Sequence, residues 1–270
     1  MSESHNTAPG PPSSAKCEDG AMQILPGAEP FSHDAGPVGV LVCHGFTGTP
    51  QSMRPLADRF AAEGFSVRLP RLPGHGTTWQ EMNKTRWTDW FAEIDAAYTE
   101  LAAICDQVFV IGLSMGGTLA TLIAQTHQND VSGLMLINPA YVMDDMRLRA
   151  VPLLQYLVPS IGAISGDIKK HGATEVGYSR TPLRALRSQM RMWEQVTRDL
   201  PQVTQPVVLF HSPQDHVVPP ACSHLLLSRI SSNDVTDVTL HDSYHVATLD
   251  NDATLIEDRC VEFITRVAGQ

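Results

Sequence analysis

The sequence predicts an α/β chain: a mostly parallel, doubly wound sheet with helices on both faces. Three observations predict it. From Val38 onward, short apolar runs rich in β-branched residues alternate with segments of helical spacing. Most of the runs are continuously apolar rather than alternating, as strands covered on both faces must be. The strand–helix–strand order then repeats, which is how parallel strands are joined.

Residues 1–20 hold no Val, Ile, Leu or Phe and are rich in Ser, Pro, Gly and Ala. They read as a disordered leader ahead of one folded unit, 21–270. The strand candidates are VGVLVC (38–43), SVRLP (66–70), VFVIG (108–112), GLMLIN (133–138), PVVLFH (206–211) and DVTLHD (237–242). Helix candidates lie near 53–63, 87–104, 115–128, 219–229 and 253–267, the last with Leu255, Ile256, Cys260, Phe263, Ile264 and Val267 at helical spacings. One gap breaks the rhythm: about 65 residues separate the fourth run from the fifth, too many for a simple crossover. They carry helical signals, so a small cap inserted over roughly 140–200 is expected at the carboxyl end of a strand, where open α/β sheets bind ligands.

Nineteen basic against 29 acidic residues leave a net charge of −10, which argues against nucleic acid and anionic membranes as partners. No apolar run reaches the roughly 18 residues of a membrane span, and the N-terminus lacks a secretory pattern. The five cysteines (Cys17, Cys43, Cys105, Cys222 and Cys260) are odd in number and form no Cys-x-x-Cys pair. Reduced thiols in a cytoplasmic protein follow, with no zinc site.

The chemistry concentrates in FVIGLSMGGTLATLIAQTH, Phe109 to His127. Gly112-Leu113-Ser114-Met115-Gly116 fits Gly-x-Ser-x-Gly, placed between a predicted strand and a predicted helix. So sharp a reversal strains the apex residue and requires glycine beside it, and it holds Ser114 at a helix N-terminus where N–H groups lack partners. An N-cap serine at an ordinary glycine turn is the alternative. For a nucleophile elbow, one oxyanion donor is the Met115 N–H and the other comes from the loop after the first core strand, with Phe46 the best position. His44, opening that loop, is expected to hold it through backbone bonds.

A hydroxyl nucleophile needs a base, and the base an orienting acid, in the chain order Ser, Asp/Glu, His. Asp215 follows PVVLFH and His245 follows the last predicted strand, so both loops emerge on the Ser114 edge of the sheet. Asp242 and Asp250 are the rival acids, each close in sequence to His245. His241 is expected inside the last strand, and His216 to point away from the site.

GAEPF, GPVGVLVCHGFTGTPQSMRPLA, RLPRLPGHGTTWQEM, GLSMGGTLA, DHVVPP and DSYHVATLDND together resemble the bacterial monoacylglycerol lipases and related small carboxylesterases of the α/β-hydrolase fold. The resemblance runs from about Gly27 to Phe263 and is weakest in the insertion. It implies Ser114 as nucleophile, His245 as base, Asp215 as orienting acid, and the N–H groups of Phe46 and Met115 as oxyanion hole. It also implies that the insertion caps an acyl pocket, with Ile164 and Glu175 lining a narrow glycerol pocket. VPLLQYLVPSIGAI is apolar on more than one helical face, which suits a pocket or transient contact with lipid aggregates.

The expected function is hydrolysis of a small lipid ester, monoacylglycerol to glycerol and fatty acid, through an acyl-enzyme and without metal or organic cofactor. A broad carboxylesterase or thioesterase is the nearest alternative. A cofactor-free perhydrolase or a ligand-binding pseudo-hydrolase represents another class.

Overall fold

The computed structural model describes residues 23–142, 146–163 and 166–269. The expected leader, Cys17 and Ile164 lie outside the described residues.

In chain order, β1 (Phe31–His33), β2 (Val38–Cys43), α1 (Arg54–Ala62), β3 (Ser66–Leu69), α2 (Trp79–Met82), α3 (Trp87–Ala102), β4 (Gln107–Leu113), α4 (Met115–His127) and β5 (Val131–Ile137) form the first half. Next come α5 (Val151–Leu154), β6 (Ser160–Gly162), β7 (Arg180–Pro182) and α6 (Leu183–Arg198). The chain finishes with β8 (Val207–His211), α7 (Ala221–Arg229), β9 (Val235–Thr239) and α8 (Ala253–Ala268).

Seven strands make one sheet in the order β1-β3-β2-β4-β5-β8-β9. Every pairing is parallel except β1 with β3. The chain builds outward from β2 to β3, then crosses back to β4 on the other side. The carboxyl ends of β2 and β4 therefore flank the reversal point, where an open parallel sheet leaves a crevice.

The continuous apolar runs are explained by burial on both faces. Along β4, Val108 and Val110 join one core cluster, with Trp90, Leu119 and Ile123. Phe109, Ile111 and Leu113 join the other, with Phe60, Ile256 and Phe263. Helix α4 is buried at every position from Met115 to Gln125, so its sequence is apolar all round rather than striped.

Two differences from the sequence reading concern the sheet edges. The last strand ends at Thr239, so His241 lies beyond it and is exposed. An edge strand is paired on one side only, and β9 carries little of the apolar signal that located the inner strands. Strand β1, three residues at the opposite edge, carries no run at all.

Between β5 and β8, β6 and β7 pair as an antiparallel ribbon, and α6 packs Leu186, Met192, Trp193 and Val196 inward. The arm from Gly166 to Tyr178 crosses the carboxyl edge of the sheet. Thr49 Oγ1 donates to Val176 O at 2.9 Å, Tyr178 N–H to Thr47 O at 3.1 Å, and Val176 N–H to Gln51 Oε1 at 3.0 Å. At its other end the Asp250 carboxylate accepts the N–H groups of Lys169, Lys170 and Tyr244 at 2.7–2.8 Å. No helix among the described residues is long and apolar enough to cross a membrane.

Candidate active site

Ser114 has φ 57° and ψ −118°, a conformation that costs a side-chain-bearing residue about 1–3 kcal/mol. The surroundings enforce it. Ser114 N–H donates to Ile137 O at 3.0 Å, and its carbonyl accepts from Ala140 N–H at 3.1 Å. A Cβ on Gly112 would sit 2.1 Å from Gly116 O, and one on Gly116 would sit 2.1 Å from Cys43 O. The turn closes only with glycine at both positions, which is the physical content of the Gly-x-Ser-x-Gly spacing.

The loop after β2 lies beside this turn. The His44 ring is fully buried, with Nδ1 donating to Gly45 O at 3.1 Å and Nε2 accepting Leu72 N–H at 3.2 Å. Burial first, and then the Arg71 charge, push its pKa down to about 4 against the opposing pull of the Gly45 bond. His44 is thus a neutral strut that fixes the loop. Among the described residues neither Phe46 N–H nor Met115 N–H is engaged in a turn or cap bond.

His245 Nδ1 meets Asp215 Oδ2 at 2.7 Å, with only 8% and 4% of the two side chains exposed. Asp215 Oδ1 accepts the N–H groups of Val217 and Val218 at 2.7 and 2.8 Å. The carboxylate is therefore held by its own loop and orients the imidazole with Nε2 as the free acceptor. Burial pushes the His245 pKa down, but the charge and hydrogen bond of Asp215, then Glu175 and Asp167, outweigh it and the net movement is upward. The rival acids do other work: Asp250 accepts loop N–H groups, and Asp242 pairs with Lys169 at 2.8 Å. His216 turns to Asp167 at 2.8 Å.

Ser114, His245, Phe46 and Glu175 line one cleft, with Leu186, Trp193, Val217 and Val218 as apolar walls. Glu175 Oε2 accepts Gly166 N–H at 2.9 Å. Burial pushes the Glu175 carboxyl up, against the pull of that N–H and of His245. Gly48 makes room for it: a Cβ there would lie 2.8 Å from Glu175 Oε1.

The family model described as serine aminopeptidase, S33 (Hydrolase_4), matches residues 38–252. The chain belongs to this family. It is a hydrolase of the α/β-hydrolase fold. It is 42% identical over 249 residues to the thermostable monoacylglycerol lipase of Bacillus sp. (strain H-257), covering 91% of this chain and 98% of that one. The carboxylesterase of Bacillus subtilis (strain 168) is 22% identical over 88% of this chain and 97% of its own. A solved structure from work on two metagenome-derived lipolytic enzymes, LipS and LipT, superposes with a TM-score of 0.88 at 42% identity. It spans 90% of this chain and 100% of that one.

Sequence reasoning missed two residues at this site. Asn138, at the carboxyl end of β5 with φ 41°, donates through Nδ2 to His245 O at 2.8 Å and accepts Ser212 N–H at 2.8 Å. One carboxamide thereby holds the base loop and the acid loop together. The signal was present: Asn138 is the polar residue ending the apolar run GLMLIN. Asp167 is the second, and nothing local in the sequence pointed to it.

Proposed function

We propose that the chain is a serine hydrolase of carboxylic esters, with monoacylglycerol as its substrate class. Ser114 Oγ attacks the ester carbonyl while His245 Nε2 takes its proton. The N–H groups of Met115 and Phe46 receive the oxyanion, each contributing about 3–4 kcal/mol in the transition state. Collapse breaks the ester C–O bond, and the departing glycerol takes the proton from His245. Water, deprotonated by His245, then cleaves the acyl-enzyme to release the fatty acid and restore Ser114. Asp215 holds the imidazole in its working tautomer throughout. No metal or organic cofactor enters this scheme.

The observation that carries the reading is His245, paired with buried Asp215, lining the same apolar cleft as Ser114. The names of the Bacillus relatives favour esters over peptides. Glu175 faces the same cleft and offers carboxyl oxygens to glycerol hydroxyls. The insertion is read as a cap. Its exposed apolar side chains, Leu153, Tyr156 and Leu157 at 75%, 75% and 82% exposure, suit transient contact with lipid aggregates. A cytoplasmic location accords with the unpaired cysteines.

The test is steady-state hydrolysis of a chain-length series of monoacylglycerols beside di- and triacylglycerols and amino-acid anilides. Monoacylglycerols should be turned over fastest, and S114A should lose activity on the order of 10⁶-fold. Comparable rates on triolein, or preference for anilides, would refute the reading.

A further inference from the structure

The base is gripped through its main chain from two sides. Its carbonyl is held from the core by Asn138. Its N–H donates to Asp167 Oδ2 at 3.1 Å, and Asp167 belongs to the insertion. The same oxygen accepts His216 N–H at 3.1 Å, while Oδ1 meets His216 Nδ1 at 2.8 Å. One residue on, Val246 N–H donates to the carbonyl of Asp167 at 3.0 Å. Asp167 thus bridges the acid loop and the base loop, flanking Asp215 and His245 alike, and its side chain is only 17% exposed.

The other attachments of this arm make the arrangement directional. Residues 174–178 are bonded to the loop that carries Phe46, and residues 167–170 to the loops that carry His245. Glu175, on the same arm, faces the cleft. A single segment of the insertion therefore touches the oxyanion loop, the alcohol side of the cleft and the backbone of the base.

We propose that Asp167 is a positioning residue for the reaction: it ties the insertion to His245, so that the cap arm sets where the imidazole stands. This rests on the serine-hydrolase reading above. Asp167 does not touch the reacting atoms and acts through the His245 backbone. The charged groups facing His245 are Asp215 from the acid loop and Glu175 and Asp167 from the insertion, with His216 on the far side of Asp167.

Asparagine at 167 keeps an acceptor for the two N–H groups and removes the charge; alanine removes both. The experiment compares wild type, D167A and D167N, with S114A as control, on a soluble short-chain ester. Full kinetics from pH 5 to 9 and melting curves are recorded for each. D167A should lower kcat tenfold or more with KM within about twofold, and D167N should recover most of that loss. In both, the acidic limb of kcat/KM should move to lower pH, because one anion facing the imidazolium is gone. H216Q should keep the acidic limb, since the limb belongs to His245. A folded D167A with kcat within twofold of wild type would overturn the proposal. So would an acidic limb that stays in place in both variants or vanishes in H216Q, or a D167N that fails to recover kcat. An active S114A would instead refute the serine-hydrolase reading, so the two failures are distinguishable.

Discussion

At the scale of single residues, the site is a set of held protons. Asp215 accepts two backbone N–H groups and the imidazole, so D215N keeps most of the shape and reverses one donor. Its kcat should fall on the order of 10⁴-fold with the melting temperature little changed; a loss below tenfold would remove Asp215 from its role. The raised His245 pKa fixes the pH response. The proposed reaction needs neutral Nε2, so activity should be lost as pH falls through that pKa, which lies above the ordinary imidazole value of 6.5. E175Q removes an anion facing the ring, and its acidic limb should move to lower pH in a rate profile. His44 acts on stability instead. Its folded pKa lies below its unfolded one, so the unfolded chain takes up the proton first and stability declines as pH drops from about 6.5 to 4. About 2 kcal/mol should be gone at pH 5, measurable by urea unfolding, and H44Q should flatten the slope.

At the scale of elements, the parts most legible in the sequence are those whose causes are local. β2, β4 and β5 are apolar because both their faces are buried, and α4 is legible because a glycine turn feeds an apolar helix. Ser114, Asp215 and His245 follow from strand ends, since parallel strands deliver their loops to one edge. What stayed hidden has distant causes. Asp167 meets partners 49 and 78 residues away, and no pattern around it encodes them. β1 and β9 are edge strands with weak apolar signals, so the sequence pattern extends the last strand over His241, which lies beyond its end at Thr239. The same logic yields a test at Asn138, where one side chain joins β5 to the loops that carry Asp215 and His245. N138A should cost about 1–3 kcal/mol in denaturant unfolding and should lower kcat more than it raises KM, because it frees both loops at once. Unchanged kcat in a destabilised N138A would assign Asn138 to packing alone.

At the scale of the whole molecule, the sheet delivers its loops to one edge, and the segment between β5 and β8 is hydrogen-bonded across them. Leu153, Leu154, Tyr156, Leu157, Val158 and Ile161, close together in the chain, are all exposed. L153S and L157S should reduce turnover of emulsified monoacylglycerol several-fold while leaving rates on a dissolved short ester intact. Equal effects on both substrates would place these residues in folding rather than in interfacial contact. The left-handed backbone at Ser114 reaches further. Glycine at that position would relax the turn, and only glycine would, so S114G should outlast S114A in a melting experiment, with neither expected to turn over ester. A screen of variants for heat resistance alone would therefore favour a dead protein. Any lineage that lost its need for the reaction would have a short mutational path to a sturdier and silent descendant.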